Sequence, residues 1–126
     1  MSEAEGKSRS GRDAELLAEK ALRSRGYKIV DRNYLTPMGE IDLVAIDGKT
    51  VVFVEVRGRS SEEYGSPSAS VTRRKQARVV RAARAYAARR HLGGAEMRFD
   101  VVGVKWPERA GEPEVEITKG AFDSAV

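Results

Sequence analysis

Asp42, Glu55 and Arg57 are the residues whose types and spacing best fit chemistry on a phosphate group. They lie in the stretch from Glu40 to Arg57, where two runs rich in Val and Ile flank an Asp47-Gly48 pair. That pair is a strong signal for a β-hairpin. Alternation along a strand puts Asp42 on one face with Glu40, Val44 and Ile46, and Glu55 with Val51, Phe53 and Arg57. A four-residue loop from Asp47 to Thr50 sets Asp42 opposite Glu55 and Glu40 opposite Arg57, whereas a two-residue loop makes the same groups diagonal neighbours. A three-residue loop separates them, and also breaks the match between the apolar faces.

Opposed side chains in such a pair have Cβ atoms about 4.5–5.5 Å apart, so two carboxylates repel unless a cation lies between them. Mg²⁺ or Mn²⁺ held by one or two carboxylates and a substrate phosphate is the expected occupant. Arginine stays protonated, so Arg57 acts as an electrostatic clamp on phosphate and not as a base. The competing reading is a solvated sheet face. It is disfavoured because both acids interrupt apolar runs on one face beside a cation.

The elements that must carry these groups follow in chain order. Ser10 with Asp13 starts a helix that Gly26 stops. Ala14, Leu17, Ala18, Ala21 and Leu22 form its apolar stripe, and Glu15 lies at the stripe's edge, where it can point toward a site or remain an ordinary first-turn glutamate. Tyr27 to Tyr34 reads as a strand, with Asn33 and Tyr34 placed to line a cleft, and Leu35 to Gly39 as a loop. Ser60 to Ser70 reads as a surface loop.

From Thr72 to His91 the chain carries a cationic helix. Val79, Val80, Ala83, Tyr86 and Ala87 form its apolar stripe, while Arg74, Arg78, Arg81 and Arg89 occupy the opposite half, and no acid lies between Glu63 and Glu96. Arginines without acidic neighbours attract an anionic partner, and nucleic-acid phosphate is the commonest. Arg59, Arg73, Arg74, Lys75, Arg78 and Arg81 are therefore the expected nucleic-acid contacts. A membrane surface is disfavoured because the Ala-rich face is needed for the core. Gln76 falls on the apolar side and needs a hydrogen-bond partner, from the backbone or from the site, and with Lys75 on the border of the same face it is a candidate supporting residue of the site. His91 reads as a C-terminal cap. Met97 to Lys105 is a strand whose Asp100 reaches the site or an arginine, and Val115 to Ile117 is a short last strand.

The 126 residues read as one domain over 11–120, with a disordered tail over 1–10 and a loose tail over 121–126. Lys and Arg outnumber Asp and Glu by 23 to 19, a mild excess that matters mainly through its concentration in the basic helix. With no cysteine, disulfides and thiolate metal sites are excluded. No apolar run reaches membrane-span length, and a cytoplasmic protein is expected. The element order suits an α/β sandwich with a mixed sheet.

Gly39-Glu40-Ile41-Asp42-Leu43-Val44 followed by Val52-Phe53-Val54-Glu55-Val56-Arg57-Gly58-Arg59 resembles the YraN family, also called UPF0102, of endonuclease-like proteins. The similarity extends to Gly11, Glu15, Gly26-Tyr27, Asn33-Tyr34, Lys75-Gln76 and Arg98-Phe99-Asp100-Val101-Val102, covering roughly residues 11 to 104. The resemblance implies a restriction-endonuclease-like fold, a PD-(D/E)XK-type nuclease core and kinship with Holliday-junction resolvases. It adds Glu15 to the site as a third acid. Where the nuclease pattern has Glu-x-Lys this chain has Glu55-Val56-Arg57, so an arginine replaces the catalytic lysine.

The function expected is Mg²⁺- or Mn²⁺-dependent hydrolysis of phosphodiester bonds in DNA, branched or structured DNA included. Asp42, Glu55 and the Val56 carbonyl would hold the metal. The alternative is a nucleic-acid-binding module on a nuclease scaffold, and a two-fold junction substrate would suit a homodimer.

Overall fold

A computed structural model describes residues 11–60 and 64–124. The N-terminal tail expected over 1–10, and the Ser10 cap within it, lie outside these residues. Helix α1 spans Arg12–Ser24, with Gly11 at its N-cap and no side-chain cap bond there. Its stripe residues Ala14, Ala18 and Leu22 are buried. The helix stops as expected at Gly26, whose φ of +89° suits a residue without Cβ. The Gly26 and Tyr27 N–H groups close the end by donating to the Arg23 and Leu22 carbonyls.

Five strands follow: β1 Lys28–Thr36, β2 Gly39–Asp47, β3 Thr50–Arg59, β4 Glu96–Lys105 and β5 Glu114–Phe122, while helix α2, Arg73–Arg89, lies between β3 and β4. They form one sheet in the order β1-β2-β3-β4-β5. All neighbours are antiparallel except β3 and β4, which run parallel. A parallel pair needs a long crossover, and the segment carrying α2 supplies it. The result is the mixed α/β sandwich of restriction-endonuclease-like architecture.

Each face of the sheet is closed by one helix. α1 packs Ala14, Ala18 and Leu22 with Leu43, Ala45, Val52, Val54, Val102 and Val104. On the other face α2 packs Val79, Val80, Ala83 and Tyr86 with Val44, Val51, Phe53 and Phe99. β3 is the central strand, and its run from Val51 to Val54 is buried on both sides, as expected of a strand covered by two helices.

Two boundaries differ from the expectation. Leu35 and Thr36 belong to β1, so the predicted loop shrinks to a tight turn at Pro37 and Met38. β5 is also longer than the three residues read as strand, reaching Phe122, which stacks on Phe99 at 5.1 Å and so draws Ala121 and Phe122 out of the supposed tail. The physical cause is pairing: β4 offers a full edge, and Glu114 to Phe122 takes it despite weak β-propensity at Lys119 and Gly120.

Candidate active site

The β2–β3 hairpin turns through Gly48 and Lys49 alone, so its loop is the two-residue one, and the register it sets nevertheless puts Asp42 in line with Glu55 where diagonal neighbours were expected. Its ladder runs from Asp47↔Thr50 to Leu43↔Val54 and ends one step before those acids. Beyond that point Asp42 Oδ2 accepts the Val56 N–H at 2.8 Å, so a side-chain oxygen takes the place of a backbone carbonyl. On its other side the β1–β2 ladder omits the Asn33–Asp42 pair but keeps its register from Arg32↔Leu43 to Tyr34↔Ile41, and Asn33 has φ +49°. Asparagine tolerates this left-handed conformation better than most residues. Strand alternation fails here too, for Ile41 joins Val44 on the α2 side. Asp42 therefore stands where β2 leaves the ladder with β3 while it stays paired to β1 on either side.

Into this gap come two further acids. Carboxylate oxygens of Glu15, Glu40 and Asp42 lie within 4.8 Å of one another. Glu15 is carried in by α1, whose next turn is latched to β1 by Arg32 donating to Glu19 at 2.6 and 2.7 Å. Asn33 Nδ2 donates to Glu15 at 3.0 Å and to Glu40 at 2.7 Å, fixing the pair at the mouth of the cluster. The Asp42 carboxyl is pushed up to about 7, first by burial and then by the Glu55 charge, with Glu15 and Glu40 adding to it and the Val56 N–H opposing. Such crowding of negative charge is what a divalent cation relieves, and an all-oxygen donor set fits Mg²⁺ or Mn²⁺.

Glu55 stands apart from the close cluster. Its side chain is buried and meets Lys75 Nζ at 3.0 Å. Lys75, expected as a nucleic-acid contact and also as a supporting site residue, enters the site from α2 and pairs with the most buried of these acids. Arg57 is half-buried, its Nε donating to Ser70 Oγ at 3.2 Å. Gln76 finds a backbone partner, donating to the Val71 carbonyl at 3.0 Å. Val56, expected to contribute its carbonyl, contributes its N–H to Asp42.

The exposed half of α2 is as read from its periodicity. Arg73, Arg74, Arg78 and Arg81 are all exposed. Arg59 is the exception among the expected nucleic-acid contacts. It is only 8 % exposed, with Nη1 and Nη2 donating to the Gly65 and Tyr64 carbonyls at 2.8 Å each. Its guanidinium is spent on holding the loop after β3, so it is corrected from a nucleic-acid contact to a loop anchor. Asp100 likewise serves the core: it is fully buried and accepts from Arg98, the Tyr27 hydroxyl and the Gly120 N–H.

Sequence reasoning did not assign Glu40 to the acidic cluster, although Glu40-x-Asp42 places two acids on one strand face. Asn33 was placed at the cleft but without its partners, because nothing in the sequence announces that its backbone turns left-handed.

Fold and site together define a small α/β protein of restriction-endonuclease-like architecture with a carboxylate cluster at the gap beside its central hairpin. Residues 14–104 match the family described as "Uncharacterised protein family UPF0102". A UPF0102 protein from Moorella thermoacetica is 46 % identical over 114 residues, covering 90 % of this chain and 95 % of its own. Another, from an Anaeromyxobacter species, is 50 % identical over 113 residues, covering 90 % of this chain and 84 % of its own. The UPF0102 protein of Desulfosudis oleivorans is 46 % identical over 114 residues, or 90 % of this chain and 89 % of that one. The chain belongs to the UPF0102 family.

Proposed function

We propose that this protein is a divalent-metal-dependent endonuclease that hydrolyses phosphodiester bonds in DNA. The observation that carries the reading is the convergence of Glu15, Glu40 and Asp42, from a helix and a parted strand, on one point with their oxygens within 4.8 Å. A structural ion-pair network would place cations among them. Here the nearest partners of Glu15 and Glu40 include the neutral Asn33 amide.

When bound, Mg²⁺ or Mn²⁺ supplies Lewis acidity toward a phosphoryl oxygen and lowers the pKa of a nearby water. Glu15, Glu40 and Asp42 would hold the ion. The Val56 N–H keeps Asp42 oriented while it is charged. Glu55 is ion-paired with Lys75, which ties the start of α2 to the site. Arg57, steadied by Ser70, presents a planar guanidinium suited to a phosphate oxygen. Gln76 supports the start of α2 through the Val71 carbonyl. The arginines of α2 then track the nucleic-acid backbone.

Incubation with plasmid, single-stranded, flapped and four-way-junction DNA in Mn²⁺ tests this, beside Asp42→Asn and Glu55→Ala. Cleavage by the native protein that vanishes in both variants is expected. Calorimetric titration with Mn²⁺ alone gives a second readout, binding that Asp42→Asn abolishes. The second reading, a nucleic-acid-binding module on a nuclease scaffold, is favoured by one feature: Glu55 already has a cation in Lys75, and Arg57 stands where the nuclease pattern has lysine. Salt-sensitive DNA binding without cleavage, indifferent to Asp42→Asn, would establish it.

A further inference from the structure

The turn joining β1 to β2 is apolar where exposed turns are ordinarily polar. Leu35 is 76 % exposed and Met38 45 %, with Pro37 exposed between them. Gly, Pro, Asn, Asp and Ser are the usual occupants of such positions, so Pro37 is ordinary there and the exposed Leu35 and Met38 are the exceptions. The turn is also stiff. Thr36 Oγ1 accepts the Met38 N–H at 3.0 Å and donates to the Gly39 carbonyl at 2.8 Å. Behind it the hairpin rests on α2. Tyr34 packs edge-on against Tyr86 at 4.8 Å between ring centres, and the Tyr86 hydroxyl donates to Asp31 at 2.6 Å.

Its surroundings are cationic. A Cβ at Gly39 would come within 2.9 Å of Arg78 Cδ, so the Arg78 stem lies against the turn. Arg89, about three helical turns further along, borders the depression beside Leu35 and Pro37. Glu40 of the acidic cluster follows Met38 by two residues, roughly 7 Å along the strand. A rigid apolar tip thus projects between two arginines, next to the carboxylates.

We infer that the Leu35-Pro37-Met38 tip is a wedge that stacks against an exposed base pair where a duplex is interrupted, at a fork, flap or junction. This rests on the nucleic-acid reading above and deepens it by assigning the element that would recognise an interrupted duplex. Apolar side chains inserted at base steps unstack them, and the flanking arginines engage the phosphates on either side. Continuous duplex offers the arginines their phosphates but gives the tip no open stack. A second copy of the chain fits the patch poorly, because a two-fold contact through it would bring Arg78 and Arg89 against their own counterparts.

The test uses the full chain in EDTA, with forked and fully paired DNA carrying 2-aminopurine at the branch point or its duplex equivalent. The native protein is expected to brighten 2-aminopurine only in the fork and to bind the fork more tightly. Leu35→Ser combined with Met38→Ser should abolish the brightening and weaken fork binding roughly tenfold while leaving duplex binding unchanged. Leu35→Met combined with Met38→Leu should retain both effects. Equal loss on fork and duplex, no brightening with native protein, or a dimer in sedimentation that the serine variant dissociates would each overturn the wedge. Failure to bind any DNA would remove the nucleic-acid reading and the wedge with it. Binding with brightening but no cleavage in Mn²⁺ would sink only the hydrolytic part.

Discussion

Asp42 concentrates the site's electrostatics in one side chain. Its folded-state value of about 7 lies above the ordinary 3.8, because burial and the Glu55 charge disfavour the carboxylate. The folded protein therefore binds a proton that the unfolded chain releases between those values. The resulting stability is complete below pH 3.8 and lost as pH rises through 7. In chelator, the unfolding free energy from urea titration should fall between pH 5 and pH 8 by an amount on the order of 2–4 kcal/mol, with the midpoint falling alongside. Asp42→Asn should flatten that dependence, and Mn²⁺ should restore the native protein at pH 8, both readable by circular dichroism. A native midpoint that stays level with pH would contradict the crowding described for this carboxyl.

At the scale of elements, two local features set how firmly the site is framed. α2 ends with the His91 and Leu92 N–H groups donating to the Ala88 and Ala87 carbonyls, and His91 takes φ +57° where glycine is usual. The expectation of a histidine near the helix end was correct in place. Its role is to take the left-handed turn that ends the helix. His91→Gly should stabilise the protein by about 1 kcal/mol, read by thermal or urea unfolding. The second feature is the loop before α2. A Cβ on Gly103 would fall 2.1 Å from Pro67 Cγ, so Pro67 sits directly on β4. Gly103→Ala should cost roughly 2–3 kcal/mol, and adding Pro67→Ala should recover most of it. What read as a plain surface loop is thus anchored at Pro67 and by Arg59, holding Ser70 against Arg57.

Across the whole molecule, charge is segregated: carboxylates meet at the hairpin gap while arginines cover the exposed half of α2. If that half tracks a nucleic-acid backbone, Arg74→Ala, Arg78→Ala and Arg81→Ala should each lower the slope of log affinity against log salt by about 1. Arg59→Ala should leave that slope unchanged and lower the unfolding midpoint instead, since its guanidinium serves loop carbonyls. Fluorescence anisotropy over a salt series with a short duplex distinguishes the two outcomes. Among the described residues no helix is long and apolar enough to cross a membrane.

Periodicity and turn chemistry determined the elements and much of the site's address. The Asp47-Gly48 signal specified the hairpin, helical spacing separated the buried and cationic halves of α2, and Gly26 stopped α1 where it should. These are local properties, decided by which side chains share a face and which backbone angles a residue tolerates. What tertiary structure decided is who meets whom. Glu15 joined Glu40 and Asp42 because α1 packs across the sheet and the Asn33 amide bridges Glu15 to Glu40. Lys75 reached Glu55 because the crossover lays α2 over β3. Arg59 turned inward because the loop's carbonyls needed donors. None of these follows from spacing along the chain, since each depends on a packing partner far away in sequence and on where a strand ladder gives out.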